Sequence, residues 1–246
     1  MADETQKKEE MVPFLLHYAE YGDLRLAQEL LTRVGIDIEA YDKEGNTALI
    51  IAAEKGRVRF LEELIAHGAD LNAQNYNGST ALICAIHNGY KRSAEVLIDA
   101  GADVNLTTKH KETALMKAAE KGDMDILKSL VAAGADVNKQ DKYGLTALMR
   151  AVQSGFKDMV LILVEAGADL ELKDVTGKTA LDWSNVFSRP ECMRLLISLK
   201  ESKEDEFRQE EGLPEAVEKE ALATPVPVKR SEFLKELFDV PNQREG

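Results

Sequence analysis

The apolar positions of this chain fall into short blocks with helical spacing. Between residues 112 and 138, Leu115, Ala118 and Ala119 are separated by three and four positions, which places them on one stripe of a short helix. A second block at residues 126–131 has the same kind of spacing and predicts a second helix. Polar residues occupy the opposite positions of both blocks, so each helix is predicted to bury only one side.

A glycine and an acidic residue separate the two predicted helices. Gly122 is expected to end the first helix, because glycine adopts a left-handed cap without a β-carbon penalty. Asp123 is expected to cap the second helix, and Gly134 to end it. The stretch therefore predicts a helix-turn-helix unit.

The same unit recurs along the chain every 33 residues. Three markers share this period: the tripeptide TAL at residues 47–49, 80–82, 113–115, 146–148 and 179–181; the tripeptide GAD at residues 68–70, 101–103, 134–136 and 167–169; and a glycine at residues 56, 89, 122 and 155. One helix pair cannot bury its own apolar stripe, so the units are expected to stack in a linear array.

The repeats resemble the ankyrin-repeat family over about residues 12–200. The family pattern of a turn, a Thr-x-Leu entry, two alanines and a glycine is matched by "DKEGNTALIIAAEKG", "NYNGSTALICAIHNG" and "DKYGLTALMRAVQSG". One departure is shared by all full units, in which alanine replaces the family's proline. The histidine that usually links adjacent repeats is also replaced, so we expect more apolar contacts between repeats; its substitutes are Ile50, Ile83, Met116, Met149 and Asp182.

The resemblance implies an all-α repeat solenoid of about six repeats, each a helix-turn-helix with a hairpin finger. The first repeat has no Thr-x-Leu entry and is expected to be an outer cap. In the sixth, Ser188 replaces the interior glycine and Pro190 is expected to open the second helix. The predicted organisation is a disordered N-terminus at 1–11, repeats at about 12–41, 42–74, 75–107, 108–140, 141–173 and 174–200, and an acidic, mostly disordered tail at 201–246.

Composition limits the classes of function. The 246 residues carry a net charge of −13, which disfavours nucleic-acid binding. Cys84 and Cys192 lie far apart without a zinc-ligand spacing, and no apolar run is long enough to span a membrane. The stretch at residues 1–11 is charged and leads into no apolar segment. We therefore expect a cytoplasmic protein, monomeric on its own, without a metal or cofactor.

No catalytic constellation is recognisable. Phosphate loops, metalloprotease motifs and nucleophile elbows are absent from the sequence. His67 precedes a glycine at a predicted helix end, where a capping role is ordinary, and His17 lies in the predicted cap. Cys84 occupies the position of Ile51 and Trp183 in sister repeats, which favours an apolar filler over a nucleophile. The sequence predicts a protein that is not an enzyme and has no small-molecule substrate.

Function is therefore expected on the surface. Helical spacing directs residues 117, 120 and 121 away from the buried stripe. The resemblance implies that such positions, with the finger tips, form a concave groove for a partner protein. The predicted partner-binding residues are Tyr76, His87, Asn88, Lys109, His110, Lys117, Lys121, Lys142, Tyr143, Leu145 and Arg150.

The outward-facing helix positions and the finger tips together differ in charge from the whole chain. The basic residues are Lys43, Lys55, Lys109, Lys117, Lys121, Lys142, Arg150 and Lys178, and the acidic ones are Glu44, Glu54, Glu112 and Glu120. Eight minus four leaves a net positive face. This pattern is compatible with a mixed, solvated surface, and also with selection of a partner that carries an acidic segment.

Two functions follow from this surface. The first is an adaptor or regulator that binds a partner protein through the concave face, and the second is a stoichiometric inhibitor of an enzyme. Asn72, Asn105 and Asn138 lie in stretches that resemble sites of asparagine hydroxylation in some eukaryotic ankyrin proteins. The sequence leaves open whether any of them is hydroxylated.

The tail contains one amphipathic segment, a predicted helix at about 231–240. Four apolar residues of this segment form a stripe that needs a surface: Phe233, Leu234, Leu237 and Phe238. An external partner and the protein's own repeats, in an autoinhibitory role, are both open.

The fourth finger departs from its sisters. Lys111 stands where Gly45, Gly78 and Gly144 stand, and Thr108 replaces Asn or Asp. Either this turn has a different backbone, or it retains a strained positive φ because basic side chains are needed at the tip.

Overall fold

A computed structural model describes residues 12–33 and 36–210 of the chain. The chain divides into two units after Lys203, and the helices described below belong to the first, apart from the last residues of the final helix. The described residues contain twelve α-helices: α1 Val12–Tyr21, α2 Leu24–Arg33, α3 Ala48–Glu54, α4 Val58–Ala66, α5 Ala81–His87, α6 Lys91–Asp99, α7 Ala114–Lys121, α8 Met124–Ala132, α9 Ala147–Ser154, α10 Lys157–Glu165, α11 Ala180–Val186 and α12 Pro190–Glu210.

Consecutive helices from α1 to α10 pack as five pairs, and α11 and α12 follow as the helices of the sixth repeat. The first helix of each repeat packs against the first helices of neighbouring repeats, and the second helices of the first five repeats pack against one another in the same order. Within the described residues no β-strand occurs; only isolated antiparallel bridges, such as Tyr41 with Thr47, mark the bases of two fingers. The all-α repeat solenoid predicted from the sequence is confirmed.

The threonine of each TAL tripeptide begins a first helix. Thr113 is buried and extended, and its hydroxyl accepts a hydrogen bond from the Met116 amide at 3.2 Å. This bond satisfies one of the free amides at the start of the helix. The same cap is present at Thr47, Thr80, Thr146 and Thr179.

The predicted turn between the helices of a pair is also present. Gly122 ends α7 with a φ of 76°, and the Phe156 ring of the next repeat lies so close that a β-carbon would come within 2.5 Å of it. Asp123 then caps α8 by accepting from the Ile126 amide. Glycine is therefore required here by both the backbone and the neighbouring ring.

Each finger is organised around a polar side chain at its base. In the fifth finger, Asp141 Oδ1 accepts from the amides of Tyr143 and Leu145 at 2.8 and 2.9 Å. Asp42, Asn75, Thr108 and Asp174 make the corresponding pair of bonds. Adjacent fingers are linked by backbone bonds, such as Lys142 amide to His110 carbonyl at 2.9 Å. The fingers thus form a continuous hydrogen-bonded edge.

A second ladder joins the ends of the repeats. Asn105 Oδ1 accepts from the Asp136 amide at 2.8 Å, while its Nδ2 donates to the Gly134 carbonyl. Asn72 and Asn138 accept the equivalent amide bonds. The side chains considered for hydroxylation therefore contribute to the contacts between repeats.

The contacts between repeats are largely apolar, as expected. Ala118 and Ala119 are completely buried between helices, and Met116 is buried where the family has histidine. Ile50, Ile83 and Met149 are buried at the equivalent positions. Asp182 is exposed and completes a capping box with Thr179, which suits the last repeat of the array.

The sixth repeat keeps the architecture despite its divergent sequence. Ser188 adopts the left-handed conformation of the missing glycine, with a φ of 52°, and Pro190 is the first residue of α12. This helix continues to Glu210, past residue 200, where the sequence predicts a change to a flexible tail. The predictions for 1–11 and for the tail segment at 231–240, with Phe233, Leu234, Leu237 and Phe238, lie outside the described residues.

Candidate functional site

The candidate site combines the finger tips with the solvent-facing side of the first helices, and we call this surface the groove face. Side-chain contacts join the two parts: Arg150 on α9 donates to Asp141 Oδ2 at 2.7 Å. In the next repeat, Trp183 Nε1 donates to Asp174 Oδ2 at 3.1 Å. Fingers and first helices therefore present one continuous surface.

Two of the predicted basic residues are largely enclosed in ion pairs. Lys117 Nζ lies 2.8 Å from Glu112 Oε1, and its side chain is 12% exposed. Arg150 is 19% exposed and pairs with the buried Asp141 at 2.7 Å. Glu112 also lies 3.8 Å from Arg150, so the centre of the groove face is a neutralised network. The net positive charge expected from the sequence is correspondingly smaller there, because the prediction did not count Asp141.

Leu145 was predicted to contact a partner, and the structure corrects this. Its side chain is buried in the core at the base of the fifth finger. Its amide is held by Asp141 Oδ1, and its carbonyl accepts from the Asp141 amide at 3.0 Å. This closure of the hairpin turns the leucine inward, away from the tip.

Tyr76 and Tyr143 project from the tips of the third and fifth fingers, and each is more than half exposed. The Tyr76 ring lies edge-on to that of Tyr41, with centroids 6.2 Å apart, and packs against Gly45. Lys142 Nζ lies 4.7 Å from the centroid of the Tyr143 ring. These contacts fix the orientation of both rings while leaving apolar surface available.

The fourth finger carries two lysines and a histidine at its tip. Lys109, His110 and Lys111 are exposed, and none forms an ion pair with another described residue. Lys111 has a φ of 60°, so the finger retains the left-handed turn of its sisters instead of adopting a new one. Thr108 Oγ1 accepts from the amides of His110 and Glu112, both at 3.2 Å, without adding a carboxylate to the tip.

The remaining predicted residues lie on the first helices. His87, Asn88 and Lys121 are exposed near the C-terminal ends of α5 and α7. Asn88 Nδ2 donates to the Cys84 carbonyl at 2.9 Å and so also closes its helix. These exposed side chains belong to the groove face, and their role in binding stays a prediction.

Two titratable groups of the groove face have shifted pKa values. Burial, with the negative charge of Glu54, raises the pKa of the Cys84 thiol to about 12. The thiol therefore remains protonated at neutral pH and behaves as the apolar filler that was predicted. Burial favours a higher pKa for Asp174 too, but hydrogen bonds from Lys178 and Thr176 outweigh it and the pKa is lowered. That carboxylate is a charged structural acceptor.

The structure adds an apolar patch that the sequence analysis missed. Val186 and Phe187, at the end of α11, are 54% and 44% exposed, and Phe187 stacks on Trp183 with ring centroids 5.4 Å apart. The signal was available in the 33-residue period, because the equivalent pairs in the four preceding repeats are polar: Glu54 and Lys55, His87 and Asn88, Glu120 and Lys121, Gln153 and Ser154.

The described part of the chain has neither a metal-binding cluster nor a membrane-spanning helix. Across residues 12–33 and 36–210, no group of three or more His, Cys, Asp or Glu side chains is arranged to hold a metal ion. Nor does any helix in those ranges have the length and apolar character required to cross a membrane.

Comparison with known proteins gives relatives for the repeats. A family model described as ankyrin repeats (3 copies) matches residues 15–108 and 115–206. A solved ankyrin repeat domain from Acinetobacter baumannii is 31% identical, with a TM-score of 0.70, and the match covers 76% of this chain and 97% of that one. No curated protein sequence matches.

A second solved structure contains a relative with a bound partner. It is a complex of a predatory endopeptidase from Bdellovibrio bacteriovorus with an immunity protein. The matching chain is 33% identical, with a TM-score of 0.69, and the match covers 75% of this chain and 96% of that one. The family match spans most of the array, and it agrees with the helix pairs, threonine caps and finger edge described above. This chain belongs to the ankyrin-repeat family.

Proposed function

We propose that this protein is a non-catalytic interaction module that binds a partner protein through the groove face. One observation carries the proposal: Tyr76 and Tyr143 are held on hydrogen-bonded fingers with more than half of each side chain exposed. Tyrosine is enriched among the residues that dominate binding energy at protein interfaces. Ankyrin arrays serve as interaction modules, and a relative of this chain occurs in a protein complex.

The rigidity of the fingers favours this role. Tyr143's own amide is bonded to Asp141, and its carbonyl accepts from the Val175 amide at 3.0 Å. Little conformational entropy therefore remains to be lost when a partner covers the ring. A flexible tip of the same composition would bind less tightly.

The charge of the tips favours a partner with an acidic segment. Lys109, Lys111 and Lys142 lie on two adjacent fingers and form no ion pair with described residues. The paired Lys117 and Arg150, by contrast, are neutralised within the chain. Acidic residues of a partner would therefore be attracted to the fourth and fifth finger tips, and this attraction would raise the association rate.

The test is affinity capture from a lysate with matched variants. The immobilised wild type is compared with Tyr143→Ser, with Lys142→Glu and with Arg92→Ala as a control, since Arg92 is exposed on the second helix α6. We expect one partner to be retained by the wild type and by Arg92→Ala, and lost from the two tip variants. Equal capture by all four proteins would refute the assignment to the groove face.

Inhibition of an enzyme is the second candidate, because a relative occurs in a complex of an endopeptidase with an immunity protein. For this chain, the inhibitor would cover an active site with the groove face. The captured partner should then lose activity in proportion to added wild-type protein, reaching complete loss at one equivalent. Full activity of a saturated complex would identify the chain as an adaptor instead.

We propose that this interaction takes place in the cytoplasm and involves a monomer of this chain. Cys84 and Cys192 are both free thiols, which is the usual state in a reducing compartment. Sedimentation of the purified chain at several concentrations tests the monomer directly, and a self-association constant in the micromolar range would contradict it.

A further inference from the structure

The sixth repeat differs from the other full repeats in the chemistry of its groove face. At the two positions that end the first helix, the preceding four repeats carry only charged or polar residues, but the sixth carries Val186 and Phe187. Both side chains are exposed, beside the partly buried Trp183. An exposed cluster of large apolar residues is unfavourable in water and marks a surface that another molecule covers.

This apolar patch is continuous with the basic finger tips through a series of contacts. Lys142 lies on the fifth finger. Its amide donates to the His110 carbonyl of the fourth finger, and its Nζ lies over the Tyr143 ring. The carbonyl of Tyr143 accepts from the amide of Val175, which is the most exposed large apolar residue of the groove face. These bonds join the fourth, fifth and sixth fingers.

Lys178 connects the last finger to the patch. Its Nζ lies 5.9 Å from the centroid of the Trp183 ring, and Trp183 stacks on Phe187. Trp183 is fixed from the other side by its bond to Asp174. The patch is therefore preorganised, and a basic side chain lies at its edge.

We infer that the Trp183–Val186–Phe187 patch binds a large apolar side chain of a partner segment whose flanking residues are acidic. The inference rests on the proposed function and specifies the chemistry of the partner. The apolar side chain packs against Phe187 and Val186. The flanking carboxylates face Lys178 and the unpaired lysines of the fourth and fifth fingers, which supply complementary charge. A neutral or basic apolar segment lacks this electrostatic attraction and is expected to bind less tightly.

The chain offers a replacement that its own architecture tolerates. In the fifth repeat, Gln153 and Ser154 occupy the positions of Val186 and Phe187. The double variant Val186→Gln/Phe187→Ser therefore removes the apolar patch with residues already used in this array. Ile197→Gln is the matched control, because Ile197 is a comparably exposed apolar residue on the second helix α12.

The experiment selects binders from a library of random peptides displayed on phage, using the immobilised full chain. We expect selected peptides to contain an aromatic or large aliphatic residue flanked by Asp or Glu. Trp183 is the only tryptophan of the protein, so its fluorescence reports on this site without a label. Binding of a selected synthetic peptide should shift its emission to shorter wavelength, as water is excluded from the ring.

The variants decide the outcome. Val186→Gln/Phe187→Ser should weaken peptide binding about ten-fold or more, while Ile197→Gln leaves it unchanged. Peptides that bind this double variant as tightly as the wild type, or that lack acidic residues, would overturn the inference. If those peptides are still lost from Tyr143→Ser, the proposed function stands and only the partner chemistry is wrong. If no selected peptide depends on the patch or on the finger tips, the inference is overturned. The capture experiment then decides the proposed function separately.

Discussion

Replacement of Lys111 by glycine should stabilise the array. Lys111 has a φ of 60°, in the left-handed region where a β-carbon is unfavourable by about 1–2 kcal/mol. The sister turns use glycine there, with φ values between 75° and 80°. Glycine also gains conformational freedom in the unfolded chain, and this gain cancels about 0.5–1 kcal/mol of the stabilisation. The expected net stabilisation is therefore about 0.5–1 kcal/mol.

Thermal and chemical unfolding followed by far-UV circular dichroism measure this change. A stabilisation of that size corresponds to a rise of about 1–4 °C in Tm for an array of this length. Lys111→Ala is the control, because it removes the same charge but retains the β-carbon at positive φ. Melting of the glycine variant at or below the temperature of the alanine variant would refute the argument from strain.

The same pair of variants tests why the strain is retained. Both remove one of the unpaired cations of the fourth finger, so both should weaken binding of an acidic partner, more strongly at low salt. Affinity unchanged in both variants would show that Lys111 has no role in binding, whatever its effect on stability.

Three further predictions concern the core. Ser93 is completely buried and its hydroxyl has no hydrogen-bond partner among the described residues, so Ser93→Ala should raise the free energy of unfolding by about 1 kcal/mol. Ser184→Ala, by contrast, removes a 2.6 Å hydrogen bond to the Leu181 carbonyl and should lower it; the opposite order in urea denaturation would contradict this. Ala118→Leu should destabilise the array by about 1–3 kcal/mol through overpacking, and wild-type melting would show that the face between repeats is misplaced. Cys84, which is partly buried and has its pKa raised to about 12, should react with iodoacetamide at about pH 8 more slowly in the native protein than after unfolding; equally rapid alkylation in both states, measured by peptide mass spectrometry, would contradict the raised pKa.

The sequence predicted those features that depend on local or strictly periodic interactions. A threonine cap, a glycine at positive φ and an aspartate that begins a helix each act within about four residues, so the residue type at one position determines the local geometry. Thr113, Gly122 and Asp123 have these roles in the structure. The period of 33 residues then extends the same geometry to the sister repeats.

The exposure of the groove face could not be predicted in the same way. Helical spacing directs Arg150 outward. It does not show that the Asp141 carboxylate, on the finger nine positions earlier, pairs with the Arg150 guanidinium and neutralises its charge. The burial of Leu145 has the same origin, since the closure of the hairpin determines its direction. Contacts between a finger and its helix follow neither the helical nor the strand period.

Two positions show what comparison among the repeats can add. The alternatives for the fourth finger remained open because Thr108 has one oxygen in place of a carboxylate, yet that oxygen accepts both amide bonds and preserves the turn. The apolar pair Val186 and Phe187 was missed because only the departures at Ser188 and Pro190 were considered in the sixth repeat. Alignment of its positions with the earlier repeats identifies it directly.

Amide hydrogen exchange on the full chain, with and without its captured partner, tests the central claim most directly. If the groove face binds the partner, exchange should slow in the finger segments and at the ends of the first helices, and remain unchanged in the second helices α6 and α8. Protection confined to α6 and α8, with the fingers exchanging as in the free protein, would contradict the account. The finger segments to compare are residues 42–46, 75–79, 108–112, 141–145 and 174–178.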